Sequence, residues 1–375
     1  MAETTTSKHS MLSRRSFIAG AFAVLSSLAL DGCQSNSVDG GASTTITVTD
    51  SVGRSVEVPR DPDRIAGLDS FTGELMVMCG AGPKLVATPG GVVSDLLLRE
   101  IYPDLVDVPA PMANSAINME TLLETNPQVI IIKEDVYSVK GQRALLDKAN
   151  LPYVVVGYTT MDEQIFAMEL VGQVCGGEAE TRANALADYY RECIDECSRR
   201  AADISDDERI RVYHSINALV TTDGADSLGR DWIESVGAID VSAEDPDAFS
   251  ATDYMSSLEQ IYAWDPDVFV CNSADTTEYL LAKDNCAGLT AVKNKRCHTI
   301  PVGATRWGQR GSVETYLAML WLGVTVYPDH YAGIDLQERV TSYYHDYLGV
   351  EVDDELYAQM LSGVGLRKQS GKAGS

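Results

Sequence analysis

The sequence is poor in histidine and in basic charge. Five histidines occur in 375 residues, and none lies within metal-ligand spacing of another. That argues against a zinc or manganese site built from histidine, and no metal or other cofactor is expected. Lysine and arginine number 29 against 55 acidic residues, and the formal charge of −26 repels phosphate backbones, so no nucleic-acid partner is expected. The acidity itself reads as solubility. Eight cysteines do not make a dense disulfide framework in a chain of this length. No Gly-x-Ser-x-Gly elbow, His-Glu-x-x-His motif or Walker loop occurs, so no catalytic residue is assigned. The apolar run Phe17 to Leu30 has fourteen residues, whereas a bilayer core about 30 Å thick needs roughly 20.

What the chain does have points to an exported globular protein. Hydrophobic residues make up 45% and charged residues 22%, the balance of a folded chain. Its length suits two lobes of ordinary domain size. The short apolar run behind Arg14-Arg15 indicates an export signal over residues 1–32. Ser13-Arg14-Arg15-Ser16-Phe17-Ile18 resembles the twin-arginine motif, with Ala19 where a lysine is common. Leu30-Asp31-Gly32-Cys33 resembles a lipobox, with Asp31 an unusual occupant. A lipid on Cys33 and a Ser/Gly/Asn-rich tether over 33–44 would hold the protein on the outer face of the cell membrane. Loss of 1–32 removes Lys8, Arg14 and Arg15 against Glu3 and Asp31, and takes the charge from −26 to −27. Seven cysteines remain beside the lipidated Cys33, an odd count that leaves at least one free or paired between chains.

Beyond the tether, strands alternate with helices, which predicts a parallel sheet and an α/β lobe over 45–159. Thr45 to Asp50 and Ser55 to Pro59 alternate as a hairpin about Gly53. Gln128 to Ile132 is a strongly apolar strand. Residues 160–207 read as helix. Thr160 and Glu163 form a capping signature, and Leu186, Tyr190, Cys193 and Cys197 repeat on one face. That stripe makes the two cysteines core residues rather than a metal pair. A second α/β lobe with terminal helices is expected over 208–366 and a disordered tail over 367–375. The fold class is therefore α/β, two lobes joined by a long helical backbone with a ligand cleft between them.

The order of short segments resembles the class III substrate-binding proteins of ABC importers, which serve siderophores, heme and cobalamin. Ile46 to Asp50, Gly53-Arg54, Val58-Pro59 and Pro62 to Ile65 look like the family's opening. Thr72 to Leu75, Gly80 to Gly82, Glu120 to Leu123, Asn126-Pro127 and Val129-Ile130 continue it. So do Trp232 to Gly237, Leu289 to Arg296, Gly311 to Glu314 and Leu320 to Asp329. The resemblance covers roughly residues 45–330. It implies a protein without enzymatic activity, a small-molecule metal chelate or corrinoid ligand (ferric siderophore, cobalamin and heme, with an oxyanion such as molybdate also left open), a dimeric ABC permease as partner, and small closure movements of the lobes. It also implies that a glutamate on each lobe, Glu74 and Glu234, meets arginines of the permease. An alternative from another class is a metal- or redox-processing lipoprotein enzyme on a similar scaffold, and a third is an adhesion or signalling lipoprotein without a deep cleft.

Cleft residues are sought in loops that come after strands. Arg306, Trp307 and Arg310 lie in one such loop; the arginines suit an anionic chelate and the tryptophan an aromatic or macrocyclic one. Ser70 and Phe71 beside Asp69, Asn114, Tyr137, and Thr222 beside Asp223 are candidates by position. His214 and His298 fall in or beside strands and read as structural.

Overall fold

The computed structural model describes residues 44–113, 116–245 and 254–364. The expected export signal, Cys33, Asn114 and the expected tail lie outside the described residues. Two four-stranded sheets organise the chain. In the first, β3 (Ile65–Gly67) lies between β4 (Leu85–Ala87) and β7 (Val129–Lys133), with β8 (Tyr153–Val156) at the far edge. In the second, β9 (Arg211–Ser215) lies between β10 (Ile239–Asp240) and β11 (Val268–Cys271), and β12 (Cys297–Thr299) is at the edge beyond β11. Every pairing in both sheets is parallel. Two antiparallel hairpins accompany them: β1 (Thr45–Thr49) with β2 (Ser55–Pro59), and β5 (Met112–Ala113) with β6 (Ala116–Ile117).

The strands are buried on both faces, as parallel strands under helices must be. Val129 to Ile132 and Val268 to Cys271 are fully buried. In each sheet the chain leaves the inner strand first to one side and then to the other. This makes a switch point between β3 and β7 and another between β9 and β11, where loops at the carboxyl ends part and leave a crevice.

Two helices, Met161–Cys175 and Gly177–Ala201, link the sheets in sequence. Thr160 caps the first by accepting from the Glu163 amide at 3.2 Å, while the Glu163 carboxylate turns to the Thr159 amide at 2.7 Å. Gly176 and Gly177 adopt φ of +67° and +58°, which breaks the helix between them. Leu186, Tyr190, Cys193 and Cys197 are buried in one core with residues of both sheets. Tyr190 donates its hydroxyl to the Gln164 side chain at 2.8 Å, and the Gln164 amide donates to the Ser312 carbonyl at 2.9 Å. The linking helices are thus tied to the loop that carries Arg306 to Arg310.

Candidate ligand-binding cleft

Loops at the switch point of the second sheet, together with the segment past the edge strand β8, enclose a cavity of about 320 Å³. Tyr158 and Thr159, just past β8, form one wall. His214 at the end of β9, Asn272 just after β11, and the loop Thr222 to Gly229 form the floor and opposite wall. Gly308, Gln309 and Arg310 close a third side.

The floor is a hydrogen-bonded chain. The His214 ring is 2% exposed. Its Nδ1 lies 2.5 Å from Asp223 Oδ2 and its Nε2 lies 3.0 Å from Asn272 Oδ1. Burial alone would lower the His214 pKa, but the Asp223 carboxylate, the two hydrogen bonds and Asp240 outweigh it and raise it above the ordinary value. Trp232 stands edge-on to the ring at 5.4 Å between centroids. Thr222 is buried and donates to the Ser242 hydroxyl at 3.0 Å. Ser242 in turn donates to Asp240 at 2.7 Å. Asp240 is pushed up to about 6, first by burial and then by the Asp223 charge.

The helix Leu228–Ser235 begins at the cavity, capped by Ser227, which accepts from the Arg230 amide at 3.1 Å. Gly229 is required there. A Cβ at this position would stand 2.0 Å from Asp223 Oδ2, so the missing side chain lets the carboxylate lie over the helix start.

On the other side of the cleft, Asp69 caps the helix Ser70–Met78, accepting from the Thr72 amide at 3.0 Å and from the Thr72 hydroxyl. Lys133, the last residue of β7, has its pKa lowered by burial and then by the Arg310 guanidinium, against the pull of Asp135 and Asp69. Arg310 therefore stands near a second cation that belongs to the other sheet.

A family model described as periplasmic binding protein matches residues 65–302. The chain belongs to this periplasmic binding protein family. The molybdate-binding protein MolA of Haemophilus influenzae is 23% identical over 346 residues, covering 85% of this chain and 95% of the relative. YvrC of Bacillus subtilis, an ABC transporter substrate-binding lipoprotein, is 23% identical over 291 residues, covering 76% and 86%. The solved structure of MolA bound to molybdate overlays with a TM-score of 0.72 at 22% identity, covering 82% of this chain and 99% of that one. A periplasmic solute binding protein of Veillonella parvula overlays at 0.70 with 22% identity, covering 84% and 97%. The protein is an extracytoplasmic substrate-binding component of an ABC transporter and not an enzyme.

In this binding protein the residues expected from sequence divide into three groups. Thr222 and Arg310 line the cavity, as does Asp223. Others stand behind or beside its wall. Arg306 is half-buried and donates to Gln309 Oε1 at 2.7 Å, so it holds a lining residue in place. Phe71 is buried and packs on Tyr158 at 5.0 Å between centroids. Ser70 lies at the start of its helix, 3.8 Å from where a Cβ on Gly311 would be.

The third group is elsewhere. Trp307 is wholly buried in the core and does not line the cavity, so its ring offers no stacking face to a ligand. Tyr137 packs with Arg54, Arg143 and Tyr153, and is not part of the cavity lining. Glu74, expected to be exposed for docking, is 2% exposed. It faces Glu314 and Asp95, and its Oε2 has no hydrogen-bond partner among the described residues. Glu234 is half-buried and pairs with Arg230 at 2.9 Å.

Sequence reasoning missed Asn272, Tyr158 and Thr159, and read His214 as structural. A polar residue directly after the apolar run Val268 to Cys271 was the available signal for Asn272.

Proposed function

We propose that this binding protein captures a small oxyanion in the cleft and presents it to its permease. The observation that carries this reading is Arg310, from the loop after β12, which lines the cavity and stands near enough to Lys133 of the first sheet for the two charges to repel. An anion held by Arg310 would relieve that repulsion. The start of the Leu228–Ser235 helix and the raised His214 offset the Asp223 carboxylate that lies against both of them. MolA, a molybdate-binding protein, supports the same class. The cavity of about 320 Å³ lies at the small end of organic-ligand pockets, roughly 300–1,000 Å³. An iron-siderophore, heme or corrinoid would need the walls to part.

The test is thermal-shift and calorimetric titration with molybdate, tungstate and sulfate, set against ferric chelates, cyanocobalamin and hemin. An oxyanion should raise Tm, and Arg310→Ala should weaken its binding by about 1.5–3 kcal/mol, the scale of a charged hydrogen bond. Binding of a chelate or corrinoid with no oxyanion response would reassign the ligand.

The same proposal places a lipid on Cys33 after twin-arginine export, a reading supported by the lipobox-like residues and by the lipoprotein relative YvrC. Cys33→Ala should move the protein from the membrane to the soluble fraction with ligand affinity unchanged. Retention of the variant on membranes would refute the anchor.

A further inference from the structure

His214 and Asn272 meet at the switch point of the second sheet, and both of the His214 ring nitrogens are occupied. An ionised Asp223 can only accept, so Nδ1 carries a proton. As oriented, Asn272 meets Nε2 through Oδ1, which can also only accept, so this orientation of the amide goes with a proton on Nε2 and the reversed orientation with none. The ring is an imidazolium in the first arrangement and neutral in the second. Because Oδ1 is turned to the ring, the amide nitrogen Nδ2 is the free end of Asn272. It makes no hydrogen bond to the protein among the described residues, and Asn272 lines the cavity.

We propose that the protonation of His214 sets the direction of the Asn272 amide, and so decides whether the cavity floor offers an anion a donor or an oxygen that repels it. This inference rests on the anionic-ligand reading above. When His214 loses its proton, Asp223 keeps the one on Nδ1, because that contact is short and to a charge. Nε2 becomes a lone pair facing the lone pairs of Asn272 Oδ1. Rotation of the amide by half a turn restores the hydrogen bond, with Nδ2 now donating to Nε2. The same rotation turns Oδ1 into the cavity. A positive charge and a donor are lost from the floor together.

The groups around the ring fix the pH window. Asp223 and Asp240 face it and favour the cation, while burial opposes it. Asp226 and Arg310 line the same cavity, Tyr158 stands on the opposite wall, and Arg230 is engaged by Glu234. Trp232 covers the ring without titrating. Burial and the Asp223 charge push Asp240 up to about 6, and the raised His214 gives up its proton in the range above it. A raised base is fully charged below its ordinary value and discharged as pH rises through the folded one. Anion affinity is therefore highest near pH 6 and falls above it.

The experiment is calorimetric titration of the purified protein with molybdate from pH 6 to 9. Wild-type affinity should fall by roughly 10- to 100-fold, the worth of one hydrogen bond to a charged group. Asn272→Asp keeps an acceptor for Nε2 and fixes an oxygen toward the ligand, so it should bind weakly with a flat profile. Arg310→Ala should bind more weakly yet keep the wild-type slope. In parallel, the ligand-free protein labelled with nitrogen-15 is titrated, with the ring nitrogens of His214 and the side-chain amide of Asn272 tracked by NMR. Both should shift with one midpoint above 6.5. A wild-type slope matched by Asn272→Asp, or a His214 titration that leaves the Asn272 amide unmoved, overturns the proposal. Absence of molybdate binding at every pH would instead overturn the oxyanion reading, and the NMR titration would still decide the amide rotation.

Discussion

Raising the pH from 5 to 8 is expected to destabilise this protein, with about 2–3 kcal/mol of the loss coming from Glu314 alone. Glu314 is fully buried at the start of the helix Thr315–Val326. It accepts from the Thr305 amide at 2.8 Å and from the Tyr344 hydroxyl. Burial is the main cause that pushes its carboxyl up to about 7 from 4.5, with the Asp95 charge adding to it. Glu74 faces it, raised well above the carboxylate range by burial and then by Glu314 and Asp95. An acid raised on folding binds more protons in the native state than in the unfolded one. Its contribution is therefore intact below pH 4.5 and lost as pH rises toward the folded value, at about 1.4 kcal/mol per pH unit.

Glu74→Gln isolates the pair. It removes one ionisable partner while keeping the shape, and the oxygen without a partner no longer has a charge to leave unpaired. At pH 8 the variant should be more stable than wild type by about 1–3 kcal/mol, and near pH 5 the two should coincide. Urea denaturation at both pH values reads this directly. Equal stability at pH 8 would mean that Glu74 is not a buried acid. Glu234 is the control for docking. It is half-buried and pairs with Arg230 at the surface, so Glu234→Lys should fold and bind ligand normally while slowing uptake by whole cells.

Glu74 also shows what the sequence could not disclose. Its place early in a helix is typical of an exposed carboxylate that favours the helix dipole. What buries it is Glu314 and the loop around it, 240 positions later in the chain, and no local pattern records that contact. Trp307 was misplaced for the same reason. Its loop does reach the cleft, but through Gly308 to Arg310, while the tryptophan ring turns into the core. The α/β class was legible because runs such as Val129 to Ile132 are apolar at every position, which only strands covered on both faces tolerate. Loops after strands were legible as cleft formers, and Thr222 and Arg310 came from that rule alone. His214 did not, since whether a strand-end ring faces core or crevice depends on the pleat and on the first residue past the neighbouring strand. Here that residue is Asn272, just beyond β11.

Trp232→Ala should cost about 3–5 kcal/mol and remove ligand binding with it. Trp232 is fully buried and is among the largest enclosed side chains. Its loss leaves a cavity that the two sheets and their helices cannot fill by collapse. The ring has a second task. Its Nε1 donates to the Gly308 carbonyl at 3.2 Å, and its edge supports His214. Gly308 adopts φ of +68°, and a Cβ there would lie 2.9 Å from the Trp232 ring, so loop and indole fit only as they stand. One side chain thus backs both the floor of the cleft and the wall that carries Arg310. Trp232→Phe keeps most of the volume and loses the hydrogen bond. It should cost about 1 kcal/mol in stability and leave His214 supported, while the Gly308 to Arg310 wall loosens. Chemical denaturation with ligand titration on both variants separates the two tasks. If the alanine variant retained wild-type affinity, Trp232 would be a core residue only, and the wall of the cleft would have to be held by the Gln164 contact to Ser312 instead.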